Sequence, residues 1–250
     1  MEQNPEYIFA CKYEQLQYAS YQHLDVLQEI EQELYSVLAQ APDNVAGLIA
    51  LLKNQQMQGR GEKARQLAHK IWSIGGDISP YQEYCYINLL LSLGMLDMAL
   101  TLLQPRLSNL SDNVEVFASV MIRFALLTGN LPLLAQITAT ANDGSEQLFA
   151  EFINAYQELE YAEHFRNIQR LIADTLRNHR LGFDYQLYFD RGFTDLSVTY
   201  YTDVPVGACA SATKDLNQKI DDYHTSANIK RIYNYEVKIK NISESPSDIS

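Results

Sequence analysis

The fold of this chain is decided by one stretch, YINLLLSLGMLDMALTLL, which covers residues 86–103. On both sides of Gly94, apolar residues stand three and four positions apart. This spacing places them on one face of an α-helix. Glycine adopts the left-handed conformation that often ends a helix at almost no conformational cost. The stretch therefore predicts a helix, a tight turn at Gly94 and a second, antiparallel helix.

The same pattern occurs twice more, because Gly59 and Gly129 stand 35 residues before and after Gly94. Apolar residues at helical spacing flank both glycines: Leu48, Leu51, Leu52, Ala64, Leu67, Ala68 and Ile71 around the first, and Phe117, Val120, Met121, Phe124, Leu131, Leu134 and Ile137 around the second. The segments that join the hairpins carry Asp43-Asn44 and Asp112-Asn113, and both residue types favour helix N-caps. We expect three successive helical hairpins.

This arrangement resembles the tetratricopeptide repeat, a unit of about 34 residues that forms a helix, a turn and a helix. The resemblance covers residues 43–141 and rests on Gly59, Gly94, Gly129 and the small residues Ala64 and Ala99. The repeats are degenerate, and related all-helical repeat families stay open as alternatives. The resemblance implies a stack of hairpins with a concave groove lined by the first helix of each repeat, a surface suited to peptides.

The flanks of the repeats extend the helical pattern. Residues 7–40 predict a long helix preceded by a shorter one, and residues 146–159 and 160–180 predict a further pair. After Leu181 the apolar period changes to two, as in Phe183, Tyr185 and Leu187, which indicates a strand with one buried face. Two strands, a helix from about Ala208, and a last strand around Tyr235 follow from the pattern.

We therefore predict an α+β protein, mainly α-helical, with helical-hairpin repeats of the tetratricopeptide type followed by a small β-β-α-β module. Its expected parts are a repeat domain at residues 1–180, the module at 181–242 and a disordered tail at 243–250, which is rich in Ser, Asp and Glu. Three strands under one helix make a marginal core alone. The module is expected to pack on the helices or to pair with a second copy through an open edge.

Composition excludes several classes of function. Nineteen Lys and Arg against 31 Asp and Glu give a formal charge of −12, whereas nucleic-acid binding needs cations that displace counterions. No apolar run approaches the roughly 20 residues that cross a bilayer. Glu2 and Glu6 stand where a secretory signal carries bases. Three cysteines, odd in number and widely spaced, indicate neither a disulfide framework nor a zinc site. We expect a cytoplasmic protein without nucleic-acid or membrane partners, metals or cofactors.

A polar stripe on the first helix of each repeat is the main candidate binding site. Lys53, Asn88 and Arg123 each stand six residues before a turn glycine. This trio looks like part of the carboxylate clamp of chaperone-cofactor tetratricopeptide domains, in which inward Lys, Asn and Arg side chains hold the terminal carboxylate of a bound peptide. Hydrogen bonds from cations to a carboxylate belong to the stronger class. The alternative is an ordinary solvated polar stripe.

Four more residues complete the candidate peptide site. Ile49, Tyr84 and Ser119 stand one helical turn before the trio, where such clamps also use a basic side chain. Tyr81 lies on the same predicted wall as Tyr84, so the two rings offer aromatic contact to a peptide. Single exposed aromatic residues also occur without function.

Other chemistry-bearing residues have plainer explanations. Asp221, Asp222 and His224 lack a second cluster that would complete a metal site. The basic stretch that contains Arg166, Arg170, Arg177 and Arg180 either binds an acidic partner or complements a helix dipole, and we favour the dipole. Cys209 near a helix start has no identifiable base, so we interpret it as a small packed residue.

These observations predict a non-enzymatic adaptor or chaperone that binds a peptide segment of a protein partner, an acidic one included. Two alternatives stay open. The chain is either a structural subunit or homodimer-forming component of a bacterial assembly, with the C-terminal module as the dimer contact, or an effector or enzyme. The enzymatic site would then lie in that module, around Asp184, Asp190, Asp203 or His224.

Overall fold

A computed structural model describes residues 5–19, 21, 23–75, 78–141, 145–158, 161–190, 193–229 and 235–245. Within these ranges the chain is mainly helical and ends in a three-stranded mixed sheet, so the predicted α+β class is confirmed. The helices are α1 Pro5–Tyr18, α2 Leu24–Gln40, α3 Val45–Met57, α4 Gly61–Ile74, α5 Pro80–Leu93, α6 Leu96–Ser108, α7 Leu110–Thr128, α8 Leu131–Thr140, α9 Ser145–Glu158, α10 Ala162–Leu176 and α11 Val206–Ser226. The strands are β1 Arg180–Asp190, β2 Phe193–Thr202 and β3 Tyr235–Asn241.

The three turn glycines have the predicted left-handed backbone, with φ of 72° at Gly59, 77° at Gly94 and 65° at Gly129. At each turn the residue after the glycine donates its backbone N–H to a carbonyl five residues earlier: Arg60 to Gln55 at 2.9 Å, Met95 to Leu90 at 2.9 Å and Asn130 to Ala125 at 2.8 Å. This bond satisfies a carbonyl that the end of the helix leaves unpaired. The repeated glycine thus produces three turns of one geometry.

The helix starts agree with the sequence at one joint and differ at another. The Asn44 side chain accepts a hydrogen bond from the Gly47 backbone N–H at 2.8 Å and caps α3. At the corresponding place in α7, Asn113 lies inside the helix, because α7 already begins at Leu110. Leu110 is buried, and its burial favours an extra helical turn.

The flanking helices follow the prediction except at the end of α10. The helices α1 and α2 are the expected short and long pair. The last helix was expected to reach residue 180, but α10 ends at Leu176, and Arg180 is the first residue of β1. The basic stretch is therefore divided between a helix, a turn and a strand.

The C-terminal module has the predicted order of two strands, a helix and a strand. β1 pairs antiparallel with β2, with Phe183 opposite Tyr200, and β2 pairs parallel with β3, with Val198 opposite Val237. Burial alternates as predicted in most of β2 and in β3, where Leu196, Val198, Tyr200, Val237 and Ile239 are buried. At the start of β1 the period does not hold, because the four residues 180–183 are all buried. Parallel pairing of β2 and β3 requires a long crossover, which α11 supplies.

The core is continuous across residue 180. Apolar residues of α5, α7 and α10 belong to the same buried cluster as Phe183, Tyr200 and Ile239 of the sheet. The module thus packs on the helical stack, which is one of the two arrangements expected for it. Residues 243–245, expected in the disordered tail, lie in or beside a short 3-10 helix, Ile242–Glu244, and Ser245 is buried. Residues 246–250 lie outside the described ranges.

A polar run inside α3 joins distant elements. Asn54, Gln55 and Gln56 are buried, and each side-chain amide donates to another element: to Leu27 O at 2.8 Å, to Glu31 Oε1 at 2.8 Å and to Leu181 O, respectively. Buried amides are costly unless they form hydrogen bonds. The run therefore holds α2 and β1 against α3.

Candidate functional site

The structure brings the predicted trio together on neighbouring helices. Arg123 Nη1 donates to Asn88 Oδ1 at 2.8 Å, across the 35 residues that separate them in sequence. Lys53 on α3 and Asn88 on α5 line the same small cavity of about 80 Å³. The cavity also contacts Tyr13 of α1 and Cys85 of α5. The repeat spacing thus places two cations and an amide within one site.

The four accompanying residues divide into an exposed and a buried group. Tyr84 lines the cavity, and its hydroxyl lies 3.1 Å from the Ser119 hydroxyl of α7. Tyr81 is 51% exposed, and its ring meets the Tyr13 ring edge-on at 6.5 Å between centroids. Ile49 is fully buried in the core and does not extend the binding surface.

Burial and charge change the protonation of the two cations. Removal from water, together with the nearby charge of Arg123, lowers the pKa of Lys53 to about 8. Burial likewise lowers the pKa of Arg123, while the neighbouring tyrosines and Asp184 oppose the shift. Within the described ranges, Lys53 forms no ion pair with a carboxylate. An anion placed in the cavity would therefore be favoured by the positive charge of Lys53, which lines it.

The face that carries the trio is already partly occupied by the chain itself. Helix α1 packs on α3, and β1 packs on α5. Three backbone carbonyls of β1 accept hydrogen bonds from side chains of α4, α3 and α7: Arg180 O from Arg65 at 3.3 Å, Leu181 O from Gln56, and Phe183 O from Arg123 at 2.8 Å. Contrary to the expectation of an open concave groove, the repeats hold an internal extended segment. Among the described residues, the cavity and the exposed ring of Tyr81 remain accessible beside it.

Arg180 is a structural centre that the sequence did not reveal. It was expected among the bases near a helix C-terminus, yet it is only 3% exposed. It donates to Leu91 O and, at 3.2 Å, to Ser92 O, which are carbonyls in the last turn of α5. Its guanidinium also lies over the rings of Phe183 and Tyr200. Arg180 stands directly before the alternating residues of β1, and this position is the sequence signal that could have revealed its role.

Tyr13 and Cys85 line the cavity, but the sequence analysis did not predict either of them as a site residue. Burial raises the pKa of the Cys85 thiol, so the thiol stays protonated at neutral pH. Burial raises the pKa of Tyr13 as well. Neither carries a signal in a single sequence, because both stand in ordinary apolar helical positions.

The remaining sequence candidates have local structural roles. Asp203 Oδ1 lies 2.8 Å from His179 Nδ1, which joins the end of β2 to the start of β1. Asp184 Oδ1 accepts from the backbone N–H of Tyr185 at 2.8 Å. Cys209 is buried, and burial raises the pKa of its thiol, against any lowering by a helix dipole. The described part of the chain contains no group of three or more His, Cys, Asp or Glu that could hold a metal ion. The side chain of Asp190 lies outside what the structure describes.

Comparison with known proteins adds no further information about the site. A search of protein-family models, curated proteins and solved structures found no match to this chain. Among the described helices, none is long and apolar enough to cross a bilayer. The function must therefore be argued from the geometry of the site alone.

Proposed function

We propose that this protein is a non-enzymatic adaptor or chaperone that binds the end of a peptide segment of a partner protein, with a peptide carboxylate beside Lys53. A single observation carries the proposal. The Lys53 amine and the Asn88 amide nitrogen border the same cavity, and neither has a hydrogen-bond partner among the described residues. Both side chains are half-buried, and an incoming carboxylate would accept charge-assisted hydrogen bonds from them.

The size of the cavity supports a small group rather than a long segment. A water molecule occupies about 30 Å³ of liquid, so a cavity of about 80 Å³ has room for the two oxygens of a carboxylate. Beyond the cavity, Tyr84, Ser119 and the exposed ring of Tyr81 form a surface for the residues that precede the carboxylate. The rest of the concave face is taken by α1 and β1.

Strand β1 provides an example of how these helices bind an extended backbone. Arg123 already donates to the carbonyl of Phe183, an extended residue. A peptide end at Lys53 would meet the same kind of donor on the neighbouring repeat. The proposal includes a cytoplasmic location, which three cysteines, odd in number and widely spaced, support.

The proposal is tested with a library of short peptides that have free C-termini. Peptides selected on the immobilised protein are resynthesised as carboxylates and as C-terminal carboxamides, and their affinities are measured by fluorescence anisotropy. We expect the carboxamides, and the Lys53→Gln variant with carboxylates, to bind about ten-fold more weakly, because each loses one charge-assisted interaction.

Lys63→Gln is the matched control, because Lys63 is exposed on α4 and forms no ion pair within the described chain. It should bind the carboxylate peptides like the wild type. Equal binding of carboxylate and carboxamide, or no loss in Lys53→Gln, would exclude a carboxylate site at Lys53.

No observation specifically favours the alternative functions. The C-terminal module packs against α5 and α10 of its own chain, and Asp184 and Asp203, which were considered for catalysis, have the local roles described above. The adaptor is therefore the function that the geometry supports best.

A further inference from the structure

A second groove lies on another side of the molecule, between α6, α7, α8 and α10. Its volume is about 670 Å³, and it shares no lining residue with the Lys53 cavity. The floor is apolar and includes Leu100, Leu107, Phe124, Leu127 and Leu133. Leu100 is 40% exposed, so an apolar partner surface would remove it from water.

Two arginines of α10 form one rim of this groove. Arg166 and Arg170 are exposed and stand one helical turn apart. In the part of the chain that the structure describes, neither forms an ion pair or a hydrogen bond. Like charges at this spacing destabilise a helix. By contrast, Arg177, in the same basic stretch, pairs with Asp174 at 2.8 Å. Arg166 and Arg170 therefore carry their positive charge at the groove without an acidic partner among the described residues.

The position of α10 is fixed by a close approach at Gly129. A Cβ atom on this glycine would lie 2.6 Å from Arg166 Cα, so the α7–α8 turn and the α10 backbone are in direct contact. Since a side chain at this position would clash with the α10 backbone, the glycine lets α10 pack closely against the α7–α8 turn beside the apolar floor. A preformed site loses little conformational entropy on binding.

We propose that this groove binds an amphipathic α-helical segment of another protein, with two acidic residues one turn apart facing Arg166 and Arg170. The apolar face of the segment would cover Leu100 and Phe124, in the helix-in-groove mode of recognition. Carboxylates form charge-assisted hydrogen bonds with guanidinium groups. Asp97 of α6 also lines the groove, and its charge favours a basic residue on the flank of the segment that faces α6.

The occupant is identified with a displayed library of helical peptides in which one face is randomised, selected on the full-length protein. We expect enrichment of Asp or Glu pairs spaced by four, on a background of apolar residues spaced by three and four. The selected peptides should bind the Arg166→Glu/Arg170→Glu variant at least ten-fold more weakly in fluorescence anisotropy.

Charge exchange separates this proposal from general loss of folding. Peptides whose acidic pair is replaced by lysines should regain binding to Arg166→Glu/Arg170→Glu and lose it with the wild type. Lys214→Glu, an exposed change on α11, should leave binding unchanged. Three outcomes would overturn the proposal: no enrichment of spaced acids, selected sequences that alternate like a strand, or unchanged binding by the double variant. The Lys53→Gln variant should bind these helical peptides like the wild type. A negative result for one proposed site therefore leaves the proposal for the other site unaffected.

Discussion

Arg123 Nη2 lies 2.8 Å from the backbone oxygen of Phe183, and the Arg123 guanidinium lies 4.5 Å from the centroid of the Phe183 ring. One side chain thus contacts both the backbone and the ring of a residue in β1, 60 positions later in the chain. The contact joins the third helical hairpin to the sheet. In an open stack of hairpins, the whole concave surface could bind a peptide. Here β1 occupies the part at Arg123, and the proposed peptide site is therefore confined to the region around Lys53.

Replacement of Arg180 should destabilise the fold strongly. Arg180→Met leaves two carbonyls of the last turn of α5 without donors and removes a cation from the rings of Phe183 and Tyr200. We expect the free energy of unfolding to fall by about 2–4 kcal/mol, measured by urea denaturation. The control Arg177→Met breaks only an exposed pair with Asp174 and should change stability by less than about 1 kcal/mol. Equal effects of the two substitutions would contradict a central role for Arg180.

The turn glycines should differ in their tolerance of alanine. All three require a left-handed backbone, which costs a side chain roughly 1–2 kcal/mol. At Gly94 a Cβ atom would meet only Arg180 Nη1, at 3.9 Å, whereas at Gly129 it would meet the α10 backbone at 2.6 Å. Gly129→Ala should therefore lower the melting temperature considerably more than Gly94→Ala, as differential scanning calorimetry can show. A larger effect at Gly94 would contradict the close contact between Gly129 and the α10 backbone.

Glu31 should contribute to stability at neutral pH, and this contribution should decrease in the acidic range. Burial alone would raise the pKa of this carboxyl, but hydrogen bonds from Gln58 and Gln55 and the charge of Arg60 lower it overall. A pKa lowered by folding gives stability that is present at neutral pH and lost as the pH falls through the carboxyl range.

The measurement compares Glu31→Gln with the wild type from about pH 7 down to about pH 3. At neutral pH, Glu31→Gln should be about 2 kcal/mol less stable, and the difference should shrink as the pH falls. Glu29→Gln, on the exposed side of α2, serves as the control and should show little difference at any pH. A difference that stays constant with pH would refute the role of the Glu31 charge.

Lys53 should also make stability depend on pH, but in the alkaline range. Burial lowers its pKa to about 8, so between that pH and the usual lysine range the unfolded chain binds more protons than the folded one. Stability conferred by a neutral Lys53 therefore rises with pH. At about pH 7, Lys53→Met should be at least as stable as the wild type, because it removes a buried charge.

The check is the difference in unfolding free energy between Lys53→Met and the wild type. It should move in favour of the wild type as the pH rises from about 7 to 10, and tyrosine titration cancels because both proteins share it. A difference that does not change over this range would show that the Lys53 amine is well hydrated.

Local features of the sequence were sufficient for the helical hairpins and for the strands. The left-handed turns at Gly59, Gly94 and Gly129 depend on one residue and its nearest neighbours, and the burial of Leu196 and Val198 follows from alternation within β2. Such properties are set by backbone conformation and side-chain period, which a single sequence carries.

The repeat spacing also brought Lys53, Asn88 and Arg123 to one place, as the 35-residue period implies. What the period could not supply was their surroundings. Helix α1 and strand β1 come from opposite ends of the chain, and they decide that Lys53 is half-buried beside α1 and that Arg123 binds Phe183.

The sequence by itself therefore determined the elements, their order and the turns between them, because these depend on neighbouring residues. Only the tertiary structure decided the burial of Arg180, the closure of most of the concave face and the apolar groove beside Arg166. The physical reason is that desolvation depends on which distant segments pack on a side chain. Arg166 and Arg180 stand 14 residues apart in one basic stretch; one is exposed beside a groove and the other is buried among aromatic rings.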